Sequence, residues 1–280
     1  MVFGKIFSRF FLLSFFSLIV SMGVFAVACG DYITTDTALT EDLLNCPREG
    51  VNLEVDNVTL DCQGHTISGN NDVYVGVRAF QKILNNVKIR NCVVEGFYAG
   101  IVFQGYDSEI SGNLSKNNTS QGIEILSGER NMVSGNIAEN NGNGFSIEDV
   151  KYNNFLNNIS RNNANSGFRL ERIVIDNIFS GNTVNNNRFG FDIPTDRIHG
   201  NQIFSNYIKG NTNYGIVIRD QWTGANTIYN NYFHNRVNAN DFSSNTNWNI
   251  EKTPGTNIVG GSYLGGNYWS DYHGRDLDRD

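Results

Sequence analysis

The sequence predicts an all-β chain folded as a single-stranded right-handed parallel β-helix, a solenoid with rungs of about 22–25 residues. Three observations carry that prediction. The phrase Gly, apolar, any residue, apolar recurs as Gly100-Ile101-Val102-Phe103, Gly122-Ile123-Glu124-Ile125, Gly144-Phe145-Ser146-Ile147, Gly167-Phe168-Arg169-Leu170, Gly190-Phe191-Asp192-Ile193 and Gly215-Ile216-Val217-Ile218. Its glycines are spaced by 22, 22, 23, 23 and 25 residues, and a degenerate earlier copy starts at Gly76-Val77. An asparagine column keeps step with it: Asn113, Asn136, Asn158, Asn182, Asn206 and Asn231, spaced 23, 22, 24, 24 and 25. Each lies three residues after an apolar side chain (Ile110, Val133, Phe155, Phe179, Ile203, Ile228). Finally, no stretch from 100 to 235 shows helical periodicity.

The physics of such a repeat points to stacked strands. Alternation of apolar and variable residues is the period-two signature of a half-buried strand. Strands this short have no stability alone, so each coil must stack on its neighbours at about 4.8 Å and share one core with them. The glycines are expected where the chain bends tightly, and the asparagines at corners, where amides hydrogen-bond along the stack. A leucine-rich horseshoe has an overlapping period, but it wants a Leu-x-Leu framework and usually a helix; here Ile, Phe and Val fill the columns.

In chain order, Lys5 and Arg9 lead into an apolar run from Phe10 to Phe25 that closes in Ala26-Val27-Ala28. This is the pattern of a secretory signal over 1–28, cut after Ala28. An uncleaved membrane anchor is the alternative, and lipid attachment at Cys29 a third, opposed by Ala26 at the −3 position. Residues 29–50 read as an N-terminal cap, 51–240 as the solenoid, and 241–280 as an aromatic and glycine-rich tail. The four cysteines, Cys29, Cys46, Cys62 and Cys92, all lie in the first third. In an exported chain they read as two disulfides with three possible connectivities, of which proximity favours Cys29–Cys46 and Cys62–Cys92. A formal charge of −7 leaves no basic stripe for nucleic acid. Sequons at Asn57, Asn113, Asn117, Asn118 and Asn158 are potential glycan acceptors.

Three segments carry a family resemblance: Cys29-Gly-Asp-Tyr-Ile-Thr-Thr-Asp-Thr with Asp42-Leu-Leu-Asn-Cys46-Pro, Asn57-Val-Thr-Leu-Asp-Cys62-Gln-Gly-His65-Thr-Ile-Ser-Gly69, and Gly265-Gly-Asn-Tyr-Trp-Ser-Asp-Tyr272. With the coils they resemble the NosD-like right-handed β-helix repeat proteins, exported and common in archaea, within a wider group of carbohydrate-binding proteins and sugar hydrolases. The resemblance implies a periplasmic copper-maturation role as one reading. The residues give copper little support: Met132 is alone past the signal, and His65, His199, His234 and His273 are widely separated. Relatives of the tail continue into an aspartate- and glycine-rich loop resembling a calcium site. Here Asp276, Asp278 and Asp280 alternate as hard oxygen ligands for Ca²⁺, without the glycine of such a loop.

Catalysis, where it occurs on this fold, would use the outward positions of the first strand: Val102, Glu124, Ser146, Arg169, Asp192 and Val217, with Glu148, Asp149, Glu171, Arg172, Arg219 and Asp220 just beyond. Stacking brings Asp149, Arg169, Glu171, Arg172 and Asp192 within roughly 5–10 Å of each other. An arginine beside a carboxylate can neutralise a uronic acid while a neighbour takes its proton; the same residues make ordinary cross-strand salt bridges. Phe189-Gly190-Phe191-Asp192 resembles the start of the alginate C5-epimerase motif, but Ile193-Pro194-Thr195 replaces its Pro-His and the next histidine is His199. The sequence therefore favours a secreted or surface-attached, non-catalytic module that binds glycans or serves as surface structure. Tyr214, Trp222, Tyr229, Tyr232 and Trp248 are offered as stacking surfaces. A polysaccharide lyase or uronate epimerase, with candidate residues Asp192, Arg169, Arg172, Asp149 and His199, is the alternative.

Overall fold

The structure, a computed structural model, describes residues 26–70 and 73–274. The segment on which the signal reading rests, up to Phe25, and the three aspartates Asp276, Asp278 and Asp280 lie outside the described residues. Within them the chain is all β, with short parallel strands wound into a solenoid of about 9 turns.

One coil shows the construction. Asn143–Lys151 forms the first side and turns a corner at Asp149, and Asn154–Leu156 and Ile159–Arg161 form the next two sides. Each pairs in parallel with its counterparts in the adjoining coils: Phe145 with Ile123 and Phe168, Phe155 with Val133 and Phe179, Ser160 with Ala138 and Val184. Register partners point to the same side of the sheet, so the inward residues form continuous columns. Phe145, Phe168 and Phe191 stack at 4.6 and 4.9 Å, and Phe179 meets Phe168 and Phe191 edge-on at 5.9 Å. The corners are turned by single residues in the left-handed region: Asp149, Tyr152, Asn157 and Asn162 have φ of 50, 57, 54 and 56°. Asparagine and aspartate tolerate that region better than other non-glycine residues.

Corner asparagines that follow these residues point inward and join coil to coil. The structure contains not one such ladder but three. Besides the Asn113-to-Asn231 column, Asn131, Asn153, Asn177, Asn201 and Asn226 form a second, and Asn118, Asn141, Asn163, Asn187, Asn211 and Asn235 a third. Past the first rung of each ladder, every Oδ1 accepts from the backbone N–H of the asparagine one coil earlier, and in most rungs from its Nδ2 as well; each Nδ2 donates on to a carbonyl of an earlier coil. Three of the sequons fall on these ladders: Asn113, Asn118 and Asn158 are buried with their amides engaged, leaving Asn57 and Asn117 as the exposed acceptors.

The repeat glycines do not serve to bend the chain. Gly100, Gly122, Gly144, Gly167, Gly190 and Gly215 are absent from the positive-φ residues. The reason is space: a Cβ on Gly144 would lie 2.7 Å from the carbonyl oxygen of Gly167 and collide with Ser160, and the column repeats this crowding. Side-chain hydroxyls exploit the closeness, Ser115 donating to the Gly122 carbonyl at 2.7 Å and Ser160 to that of Gly167 at 2.8 Å.

At the N-terminal end, Asp31–Ile33 and Thr37–Ala38 already pair with the following coil. Disulfides join Cys29 to Cys46 and Cys62 to Cys92, with Cα atoms 5.4 and 4.7 Å apart. Cys92 stands at the head of an asparagine ladder, its N–H donating to Asn113 Oδ1 at 3.0 Å, so covalent linkage takes over where the amides stop. At the other end the tail returns: Tyr268–Trp269 pairs with Tyr232 and Phe233, Asn267 accepts from Asn231, and Trp269 stacks on Phe233 at 4.6 Å.

Replacing Asn158 by alanine would orphan the Asn136 backbone N–H, leave its Nδ2 only the Ile110 carbonyl, both groups now reaching Asn158 Oδ1 at 3.0 Å, and strip the Val133 carbonyl of its 2.8 Å partner. Urea denaturation should show a loss of roughly 3 kcal/mol or more. A loss below about 1 kcal/mol, the worth of one ordinary hydrogen bond, would mean the ladders do not hold the stack.

Candidate functional site

The outward face of the first side carries one in-register column: Arg78, Val102, Glu124, Ser146, Arg169, Asp192, Val217 and Asn240. Its middle is recessed, since Val102, Ser146, Asp192 and Val217 are buried although they face away from the core. Longer side chains stand around them.

Asp192 is the most constrained of the sequence-derived candidates. One carboxylate oxygen accepts from Arg169 Nη1 at 3.1 Å and the other from Arg219 Nε at 2.8 Å, and the side chain is 3 % exposed. Arg169 also pairs with Glu171 at 2.7 Å, and that hydrogen bond holds its guanidinium in the charged form. Arg219 and Arg188 both lie over the Phe189 ring, at 4.9 and 5.0 Å. The result is a chain of alternating charges, Glu171–Arg169–Asp192–Arg219, running across three coils. The partnership with Arg219 was hidden in the sequence, because the register partner of Asp192 is Val217 and Arg219 reaches back from two residues farther along its coil.

The other candidates do not converge on Asp192. Asp149 and Arg172 occupy left-handed corners, with φ of 50 and 61°, and pair with each other at 3.5 Å; Arg172, 68 % exposed, also reaches Glu148 at 3.1 Å. His199 lies in the short strand Ile198–His199 past the corner, exposed, and its hydrogen bonds run through its carbonyl to Asp176 and Asn201. The aromatic candidates mostly spend their ring faces on one another. Tyr232 is stacked on Tyr268 at 4.6 Å, Tyr229 on Phe204 at 5.0 Å, and Trp248 packs among Phe233 and Trp269 over the end of the core. Rings stacked along the solenoid axis offer solvent their edges rather than their faces. Trp222, 73 % exposed, is the exception.

A residue that sequence reasoning placed on the face without singling out is Glu124. It makes no hydrogen bond or ion pair among the described residues, and burial, reinforced by the nearby Glu148 and Glu171 carboxylates, pushes its carboxyl up to about 7. Burial also raises Glu148. Only the outward position of Glu124 was legible; its raised proton affinity comes first from burial and then from carboxylates one and two coils away.

A parallel β-helix with a recessed, charge-laced outward face is the class that this geometry defines. The chain belongs to the NosD family: the family described as periplasmic copper-binding protein (NosD) matches residues 36–274. That description and the two disulfides agree on an oxidising, extracytoplasmic setting. Among solved structures the pectate lyase Pel9A is similar, with a TM-score of 0.52 and 13 % identity over 78 % of this chain and 68 % of that one. The DFA-IIIase from Arthrobacter chlorophenolicus A6 in complex with GF2 gives a TM-score of 0.51 and 14 % identity over 79 % of this chain. The match spans 60 % of that enzyme's length. At these identities the likeness is one of fold. No curated protein sequence matches the chain.

The copper in the family description finds no fitting donor set here. Copper asks for clustered imidazole or soft sulfur ligands. Among the described residues all four cysteines are held in disulfides, no three His, Cys, Asp or Glu side chains converge, and Met132 is the single methionine.

The raised Glu124 carboxyl has a consequence for stability. The folded state holds this proton up to about pH 7, whereas an ordinary glutamate carboxyl releases it near 4.5. Between those values the native state binds more protons than the unfolded chain, so stability falls as pH rises. Glu124→Gln should therefore raise the melting temperature at pH 8, by up to about 3 kcal/mol in stability, and change little at pH 4. Thermal unfolding at both values checks it, and an equal effect at both would contradict it.

Proposed function

We propose that this protein is an exported or surface-attached, non-catalytic carbohydrate-binding solenoid that engages glycans on the outward face of its first side. The observation that carries this reading is the state of Asp192. A general base or nucleophile must be reachable by the substrate, and the Asp192 carboxylate is 3 % exposed and faces two guanidinium groups, one on each oxygen. No histidine reaches it. The face is built to hold charges in place, which suits recognition through rows of fixed donors and acceptors.

Two further facts support the reading. Likeness to a pectate lyase and to a DFA-IIIase relates the fold to sugar-handling proteins. The asparagine ladders keep the backbone of the face rigid, so ligand groups meet preorganised partners.

A glycan-array screen of the protein, with a parallel assay for unsaturated uronate products, tests it. Binding without turnover is expected. Asp192→Asn should leave Arg169 and Arg219 without their shared carboxylate and cost about 1–2 kcal/mol of stability, both arginines being partly exposed. Turnover that Asp192→Asn abolishes would replace this reading by the lyase or epimerase one, and an array without any bound glycan would contradict carbohydrate binding itself.

A further inference from the structure

Buried polar atoms find a partner in roughly nine cases of ten. Among the described residues five buried side-chain oxygens have none, and three of these, Gln121 Oε1, Ser146 Oγ and Ser166 Oγ, lie on successive coils of this one outward face. Ser146 is fully buried and stands in register between Glu124 on one coil and Arg169 on the next. Phe145 and Ile147, its chain neighbours, belong to the core, so its hydroxyl is directed to the outside of the sheet. Glu124, beside it, is likewise unpartnered, and Arg169 keeps 33 % of its side chain exposed.

We propose that Gln121, Glu124, Ser146 and Arg169 form a subsite for a neutral, hydroxyl-rich sugar. The proposal rests on the carbohydrate reading above and assigns it a place and a ligand class. A sugar hydroxyl donates and accepts at once. It can therefore donate to Gln121 Oε1 or a Glu124 oxygen while accepting from Ser146 or from the edge of the Arg169 guanidinium. Carboxylate and guanidinium side by side also grip adjacent hydroxyls from both sides.

Charge decides the class. Glu124, Glu148 and Glu171 act on one another as like charges on this face. The guanidiniums near them are committed to carboxylates, Arg169 to Glu171 and Asp192, Arg172 to Glu148 and Asp149, Arg219 to Asp192, while Arg188 on the next coil lies over the Phe189 ring. A uronate would add another negative charge with no free cation in the subsite to meet it. A neutral sugar meets no such penalty.

Calorimetric titration of the full chain with cellohexaose, mannohexaose and maltohexaose, and with hexagalacturonate as the acidic probe, tests the proposal. Ser146→Ala and Glu124→Leu are the informative variants. Ser146 Oγ has no partner within the protein, so its removal should leave the melting temperature unchanged or higher, yet weaken binding of the preferred neutral hexasaccharide at least about tenfold, as loss of a hydrogen bond to ligand does. Glu124→Leu should weaken it similarly while the circular dichroism stays native. Affinity within twofold of the wild type in both variants would overturn the subsite and leave the carbohydrate reading standing. Preference for hexagalacturonate would overturn the ligand class. A wild type that binds no probe here and no glycan on the array would strike the carbohydrate reading itself.

Discussion

Every outward feature of this protein depends on the buried asparagine amide. A side-chain amide carried into the core costs several kcal/mol unless its hydrogen bonds are restored. Here they are restored only when the next coil stacks in one register, because each Oδ1 must lie over the N–H of the asparagine before it. Apolar columns alone would tolerate sliding, since Ile, Val and Phe pack against one another in many arrangements. Three ladders remove that freedom. They also explain why residues as different as Glu124, Ser146, Arg169 and Asp192 come to stand in a single file.

Much of this was legible in the sequence, and the exceptions have physical causes. The rung length, the Ile and Phe columns and the first asparagine column follow from spacing, because a solenoid maps sequence distance onto coil number almost without distortion. Two more asparagine columns escaped notice although they use the same signal: Asn153, Asn158 and Asn163 recur every five residues within a coil, as do Asn131, Asn136 and Asn141. The glycines were recognised as structural but for the wrong reason. Crowding against the carbonyl of the next coil is invisible to a reading that sees one coil at a time. The same limit hid the Arg219–Asp192 pair, the burial of Ser146 and the raised Glu124 carboxyl, each set by residues one or more coils away.

What the outward face can bind depends on which of its polar groups are already satisfied. Around Asp192 the charges are neutralised within the protein, and Phe189-Gly190-Phe191-Asp192 coincides with the coil repeat, its aspartate in the outward position. Two to three coils toward the N-terminus the balance differs: hydroxyl, amide and carboxyl groups are fixed by the same stack but left without partners. Membership of the NosD family sets the cellular context, while among the described residues the separated histidines and disulfide-bound cysteines form no clustered donor set for the metal in the family's description.

The most direct measurement is a crystal structure of the protein with the tightest-binding neutral hexasaccharide. The account predicts sugar hydroxyls on Glu124 and Ser146, with Asp192 still held between Arg169 and Arg219. A sugar bound on another side of the solenoid, or an Asp192 carboxylate released from its arginines to face the glycosidic bond, would contradict it.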